Sequence, residues 1–243
     1  MELAGRVALV TGGGRRLGRA LGAALAGRGM TLAIHHHQSA EGASQLCREI
    51  VSAGGTAERF EADLTNAEAA RALPERVARR FGRLDVLINS AAIMKRMSLE
   101  ETTAAAWDEV MNVNLRAAFF CAQAAAPALR AAGGRVISLA DVGGLEPWPN
   151  YAAYCVSKAG VIMLTKVLAR ILAPEVTVNS IAPGAVLLPE DWPEGTGERL
   201  AATTPLRRLG HPEDIVAAML YLLEGGDYVT GETIVVDGGR LIR

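Results

Sequence analysis

The chain has 243 residues, 50% of them hydrophobic and 21% charged, with a formal net charge of −1 at pH 7. That length and composition suit one α/β domain with a large core, spanning residues 1–243. The near-neutral balance removes the electrostatic case for nucleic acid as a partner. The cysteines Cys47, Cys121 and Cys155 are odd in number, widely spaced and without metal-ligand spacing. They read as buried thiols in a reducing cytosol. Met1–Gly5 leads straight into a candidate strand and leaves no room for a signal peptide. The apolar run around Ala117–Leu129 contains Gln123 and Pro127 and is too short to span a bilayer. A soluble cytoplasmic protein without a membrane segment is expected.

Strand and helix signals alternate along the chain. Arg6–Val10 reads as a strand running into the turn Thr11-Gly12-Gly13-Gly14-Arg15-Arg16-Leu17-Gly18, and Arg19–Ala26 as a helix. Met30–His35 is a second strand and Ala40–Ala53 a helix stopped by Gly54-Gly55. Thr56–Glu61 and Asp85–Asn89 are further strands around a helix over Asn66–Phe81. Thr102–Leu129 reads as one long alanine-rich helix. Strand Arg135–Leu139, helix Asn150–Leu172 and strand Val176–Ala182 follow, the last stopped by Pro183-Gly184. Helix Pro212–Leu223 and strand Thr233–Val236 close the pattern before Asp237-Gly238-Gly239. Regular alternation of this kind predicts a doubly wound, seven-stranded parallel sheet of Rossmann type.

Two stretches carry chemistry. A strand, a glycine-rich turn and a helix together present backbone N–H groups and a helix N-terminus to a pyrophosphate. Dehydrogenases of this fold that prefer NAD end the second strand with an acid that holds the ribose 2′-OH. No acid occurs from Thr31 to Ala40. Arg15 with His37, Gln38 and Ser39 forms a donor-rich set suited to a 2′-phosphate, so NADPH/NADP is the expected cofactor. The histidine triplet also fits a solvated strand end. It cannot converge on a metal, because successive strand residues alternate faces.

The second stretch is Asp141 with Tyr154-Cys155-Val156-Ser157-Lys158. Tyr154 and Lys158 stand four residues apart and share one face of a helix. A lysine ammonium beside a phenol favours phenolate, which lowers a pKa that is otherwise about 10. The same Tyr-x-x-x-Lys spacing occurs on ordinary surface helices, and its weight comes from its company. Asp141 falls at the carboxyl end of a parallel strand, where open α/β sheets place ligands. An ionised carboxylate there only accepts hydrogen bonds. That suits a substrate presenting N–H groups, although an Asp at this place also caps loops.

Taken together, these motifs resemble the short-chain dehydrogenase/reductase family over essentially the whole chain. The matching features are the Thr11-Gly12 turn, Asp63-Leu64, Asn89-Ser90-Ala91, Asn114, Tyr154 with Lys158, Pro183-Gly184 and Val229-Thr230-Gly231…Val236-Asp237-Gly238-Gly239. Within the family the chain is most similar to the pteridine reductase and dihydromonapterin reductase branch. Arg16 stands where most members have Gly, and Asp141, thirteen residues before Tyr154, stands where most have Ser.

The resemblance implies a catalytic set of Asp141, Tyr154, Lys158 and Asn114, with Asn114 kinking its helix and holding a water near Lys158. For the cofactor it implies Gly12, Arg15, Arg16, Leu17, His37, Gln38, Ser39, Asp63, Leu64, Asn89, Ser90, Ala91, Tyr154, Lys158, Pro183 and Gly184. It also implies a substrate loop around 185–210, carrying the run Glu190-Asp191-Trp192-Pro193, and a homotetramer.

Two positions depart from the branch. Met94 falls where those enzymes carry the aromatic residue that stacks on the pterin, and Gln38 replaces a basic residue. Trp148 and Trp192 lie in the loops expected to rim the site, and either can supply the missing stacking face. The substrate-binding set is therefore Arg16, Met94, Asp141, Trp148, Tyr154 and Trp192. The expected activity is NADPH-dependent reduction of a dihydropterin-like C=N bond. The alternatives are a carbonyl reductase for a ketone or 3-oxoacyl substrate, and a non-catalytic NADP(H)-binding regulator.

Overall fold

A computed structural model describes residues 1–188 and 192–242. Seven parallel strands form one sheet in the order β3-β2-β1-β4-β5-β6-β7. They are β1 (Val7–Val10), β2 (Thr31–His36), β3 (Ala57–Glu61), β4 (Val86–Asn89), β5 (Arg135–Leu139), β6 (Thr177–Pro183) and β7 (Thr233–Val236). The winding direction reverses between β1 and β4, and this opens a crevice at their carboxyl ends.

Alternate residues of each strand feed opposite cores, as the period of two requires. Leu9, Ala33, Leu87, Val136 and Val178 pack on helices α3 (Ala67–Phe81), α5 (Ala117–Ala132) and α6 (Ala152–Leu172). Val10, Ile34, Ile88, Ile137 and Ile181 pack on the other face, under α1 (Arg16–Ala26), α2 (Ala40–Ser52) and α8 (Pro212–Leu220). Helix α4 (Ala104–Met111) leads toward α5, and α7 (Thr196–Thr203) lies between β6 and α8.

Three local features differ from the sequence reading. The helix read as continuous over Thr102–Leu129 is interrupted by a π turn over Asn112–Arg116, at the Asn114 that the resemblance implies as its kink; Asn114 is buried there and its side chain is drawn to a neighbouring loop. Helix α1 begins at Arg16 rather than Arg19. Helix α7 falls inside the expected substrate loop around 185–210, where its run Thr-Gly-Glu-Arg offers no buried stripe to signal a helix. Of the acidic-Trp-Pro run, Glu190 and Asp191 lie outside the described residues.

The three thiols are not alike. Cys121 is fully buried, whereas Cys47 and Cys155 are partly exposed. Pro74 sits inside α3 and has no N–H for the carbonyl four residues back. That carbonyl, on Ala70, accepts instead from the Cys121 thiol at 3.3 Å. Burial pushes the Cys121 thiol pKa up to about 12. Among the described residues, no helix is long and apolar enough to cross a membrane.

Candidate active site

The crevice is lined on one side by the turn after β1. Thr11 closes it: its Oγ accepts from the N–H groups of Ser90 and Ala91 at 2.9 and 3.0 Å. Gly12 adopts φ +66°, and a Cβ there would stand 2.9 Å from the Cα of Ala91, so no other residue fits. A Cβ on Gly18 would fall 2.3 Å from the Gly12 carbonyl oxygen, which is how closely α1 approaches the turn. Arg15 precedes α1 in extended conformation and gives its N-terminus no side-chain cap. The first-turn N–H groups therefore have no partner from their own capping residue.

The end of β2 meets this turn. A Cβ on Gly14 would lie 2.6 Å from Ser39 Oγ, so Arg15 and the His37–Ser39 stretch form one exposed surface. His35 and His36 are buried and only His37 is exposed, so the triplet divides between core and surface. His35 Nδ1 accepts from Gly12 N–H at 3.0 Å, and Nε2 lies 3.1 Å from the Ala62 carbonyl. That pattern sets a neutral ring with its proton on Nε2. Burial pushes the His35 pKa down to about 4. The ring thus ties the glycine turn to the loop that carries Asp63 and Leu64. Asp63 is exposed and accepts from the N–H and hydroxyl of Thr65 at 2.9 and 2.8 Å. The importance of His35 was missed because the triplet read as a single polar strand end.

Arg16 has a left-handed backbone, φ +50°, at a non-glycine residue. Its guanidinium reaches the carbonyls of Leu187 and Leu188, in the segment after β6. It therefore joins the glycine turn to the start of the expected substrate loop. Gly184 packs on Asp237, where a Cβ would stand 2.8 Å from the Asp237 Cα.

On the other side of the crevice, β5 delivers Asp141 and α6 delivers Tyr154 and Lys158. The Tyr154 hydroxyl donates to Asp141 Oδ2 at 2.9 Å, and Asp141 Oδ1 accepts from Gly143 N–H at 2.7 Å. Lys158 is buried, donates to the Leu139 carbonyl at 2.6 Å, and has its Nζ 5.7 Å from the centre of the Tyr154 ring.

These contacts correct one expectation. Tyr154 is not shifted toward phenolate: burial and the Asp141 charge beside it hold its pKa well above the usual phenol value. Lys158 gives a hydrogen bond to the Leu139 carbonyl, with its Nζ 5.7 Å from the ring centre, and burial brings its own pKa down to about 8. Burial likewise raises the Asp141 pKa, against the pull of the Gly143 N–H and of Lys158.

Asn114 reaches this side from the π turn. Its Oδ1 accepts from Ile93 N–H at 2.8 Å, and its Nδ2 donates to the Ile93 carbonyl at 2.9 Å and to Ser157 Oγ at 3.0 Å. These bonds hold the chain after β4, at the residue just before Met94, against α6. Asn114 also lines a cavity of about 10 Å³ with Thr11, Asn89 and Ser138, which is the size of one water. No hydrogen bond joins it to Lys158 among the described residues.

Trp148 lies nearly parallel to Tyr154, at 11° with 6.1 Å between ring centres, and edge-on to Tyr151 at 6.0 Å. Its indole N–H donates to Glu146 at 2.8 Å. Arg240, in the turn after β7, pairs with the same Glu146 oxygen at 2.8 Å and lies over the indole. Trp192 is half-buried and has no aromatic partner among the described residues. Neither Glu146 nor Arg240 was legible beforehand, since no spacing rule joins residues 94 positions apart.

Residues 14–240 match a family model described as enoyl-(acyl carrier protein) reductase. A 3-oxoacyl-[acyl-carrier-protein] reductase of Synechocystis sp. is 36% identical over 99% of this chain and 98% of its own length. The 3beta-hydroxysteroid dehydrogenase 1 of Eggerthella lenta is 36% identical over 99% and 95%. A short chain dehydrogenase from Burkholderia cenocepacia, solved in complex with NADP, superposes with a TM-score of 0.93 at 34% identity, covering 99% of this chain and 100% of that one. The first two of these relatives are named for oxo or hydroxy substrates. They agree better with the carbonyl-reductase alternative than with a pteridine reductase.

Proposed function

This chain belongs to the short-chain dehydrogenase/reductase family, and on that premise we propose an NADPH-dependent reductase acting on the C=N bond of a dihydropterin or similar N-heterocycle. NADPH, when bound, supplies the hydride. The chain fits it at two places. The cradle that a Cβ on Gly12 or Gly18 would fill leads to an uncapped helix N-terminus for the pyrophosphate. Arg15 and His37–Ser39, with no acid from Thr31 to Ala40, suit the 2′-phosphate. Asp63, Leu64, Asn89, Ser90, Ala91, Pro183 and Gly184 line the remainder.

The observation that carries the substrate reading is the hydrogen bond from Tyr154 to Asp141. Burial and the carboxylate keep the phenol protonated, so it is ready to give its proton to a nitrogen as negative charge develops there. Lys158 holds positive charge up to about pH 8 and steadies the phenolate left behind. Asp141 accepts from N–H groups of the ring beside the reacting bond. Asn114 braces the Ile93 loop against α6 and so keeps this side of the crevice in place.

A second reading, reduction of a ketone or 3-oxoacyl carbonyl, is favoured by the names of the relatives. It uses the same Tyr154 and Lys158. A non-catalytic NADP(H)-binding regulator is disfavoured, because Tyr154 and Lys158 are both present and the Tyr154 hydroxyl meets Asp141.

Asp141→Ser separates the two enzymatic readings. NADPH oxidation is followed with dihydrobiopterin, dihydromonapterin, dihydrofolate and several ketones, on parent and variant. The N-heterocycle reading expects pterin or folate reduction by the parent and a fall of about tenfold or more in the variant, the worth of a charged acceptor. Ketone turnover by the parent alone, held or raised in the variant, transfers the assignment to the carbonyl reading.

A homotetramer is proposed from the family resemblance. Val156, Met163, Val167 and Ile171 support an oligomer, since they leave an apolar stripe along the exposed face of α6. A cytoplasmic location is proposed with it.

A further inference from the structure

We infer that Arg240 is a positioning residue for the substrate: with Glu146 it fixes Trp148 parallel to Tyr154 as the aromatic wall of the site, so that flat π-rich rings are preferred to aliphatic substrates. The inference rests on the proposed roles of Asp141 and Tyr154.

The observations form a closed chain of contacts. Glu146 uses one oxygen for both partners: it accepts from Trp148 Nε1 at 2.8 Å and from Arg240 Nε at 3.0 Å, with Arg240 Nη2 at 2.8 Å in the same ion pair. The Arg240 guanidinium also stands 5.6 Å from the centre of the indole, within cation–π range. Both charged side chains are mostly buried, at 13% and 24% exposed. An ion pair so placed is held in one geometry rather than flickering in solvent. The indole is fixed from below as well. A Cβ on Gly143 would lie 2.9 Å from its Cζ3, and that same Gly143 donates its N–H to Asp141. Trp148 is thus locked by the residue that also orients Asp141.

Two consequences follow for recognition. Trp148 is half-buried and nearly parallel to the phenol at 6.1 Å, so the site offers an aromatic face at a defined angle to the proton donor. A flat, electron-poor ring gains stacking energy there, and an acyl chain gains none of it. The wall lies on the loop before α6, whose Asn150 carbonyl accepts from Met97 N–H at 2.8 Å, and the indole supplies the flat face that a methionine at position 94 lacks.

The Arg240–Glu146 pair serves a second purpose. Arg240 places positive charge near Asp141 and opposes the burial that raises the Asp141 pKa. Other charged or titratable groups facing Asp141 are Lys158, Tyr154 and Cys155 from α6.

The test uses Arg240→Ala, Arg240→Lys and Glu146→Gln in the NADP-loaded protein. Oxidised biopterin, a flat probe, is titrated against tryptophan fluorescence. Steady-state KM values are measured for dihydrobiopterin, for the aliphatic ketone ethyl acetoacetate and for NADPH. The expected result is that Arg240→Ala and Glu146→Gln weaken biopterin quenching by about tenfold and raise the KM for dihydrobiopterin more than its kcat falls. The preference for dihydrobiopterin over ethyl acetoacetate should drop by a similar factor, and Arg240→Lys should restore part of it. Trp148→Leu should abolish the quenching.

Equal losses on flat and aliphatic substrates, unchanged biopterin binding in Arg240→Ala, or no biopterin binding by the parent would each overturn the proposal. Tyr154→Phe, assayed with whichever substrate the parent turns over, tests the catalytic reading separately. Retained turnover there removes the premise, whereas lost turnover with unchanged ring preference in Arg240→Ala removes only the role of Arg240. Glu146→Gln keeps size and shape, so it remains informative if Arg240→Ala fails to fold.

Discussion

At the ends of β1 and β2 the crevice is shaped by backbone. Gly12, Gly14 and Gly18 bring main chain to within distances no Cβ allows, and Thr11 and His35 staple the resulting turns. Across the crevice the surface is shaped by side chains that arrive from distant segments. Tyr154 and Lys158 come from α6, Arg240 from beyond β7, and Arg16 crosses to Leu187 and Leu188. The first half is an environment for a ligand with a constant shape, and it is coded by close approach. The second is coded by charge and aromatic faces. Single substitutions can change it without moving the backbone, so the substrate can change while the cofactor stays.

The largest effect should come from the reacting centre. Tyr154→Phe removes the proposed proton donor and should lower kcat by about 10²–10⁴-fold, while NADPH binding, measured by fluorescence titration, changes little. Activity within a few-fold of the parent would show that the side-chain half does not carry the chemistry.

His35 tests the backbone half. Its pKa is about 4 when folded against an ordinary 6.5, so between those values the unfolded chain binds more protons than the folded one. Stability contributed by the neutral ring is therefore present above pH 6.5 and lost as pH falls to about 4. The difference amounts to roughly 3 kcal/mol. Gln in this position can accept and donate but does not titrate. The melting temperature of His35→Gln should decline less than that of the parent across this window, and parallel pH profiles would refute the assignment.

Cofactor charge recognition is a smaller matter. Arg15→Ala should raise the KM for NADPH by more than about tenfold, since a charge-assisted contact is worth roughly 1.5–3 kcal/mol, and leave the KM for NADH nearly unchanged. Equal use of both cofactors by the parent would reverse the reading of Arg15 and His37–Ser39.

The smallest effect marks the seam between the halves. Arg16 is held in a left-handed conformation that costs a non-glycine residue about 1–2 kcal/mol. Arg16→Gly should relieve that strain and raise the melting temperature by a few degrees, while weakening substrate binding through loss of the contacts to Leu187 and Leu188. A lower melting temperature with unchanged substrate KM would make the arginine a fold determinant only.

The same contrast explains what the sequence disclosed. The glycine turn, the strand–helix alternation and the Tyr154–Lys158 pairing were legible because each is fixed by spacing along the chain. The direction of the Tyr154 pKa was not. Lys158 is visible four residues on, yet the structure puts Asp141 closer to the hydroxyl, and burial does the rest. The π turn at Asn112–Arg116 is invisible to the helical pattern, which runs straight through it, and only the family resemblance pointed to a kink at Asn114, whose side chain accepts from Ile93 N–H, 21 residues earlier. Glu146 and Arg240 carry no local signature, since an ion pair between distant loops is a fact of tertiary structure alone.

The Cys121 thiol shows a sulfur retained for its hydrogen. With its pKa near 12 it stays S–H at any physiological pH, so it is a poor nucleophile and a steady donor. Its partner is the carbonyl that Pro74 leaves without a helical mate. Positions 74 and 121 are therefore one inherited unit spread over two helices: an alanine at 121 strands a buried acceptor while Pro74 remains, and does so no longer once residue 74 regains an N–H. Substitution in this layer of the core has an order: residue 74 can change alone, and residue 121 loses its thiol without cost only after residue 74 has regained an N–H.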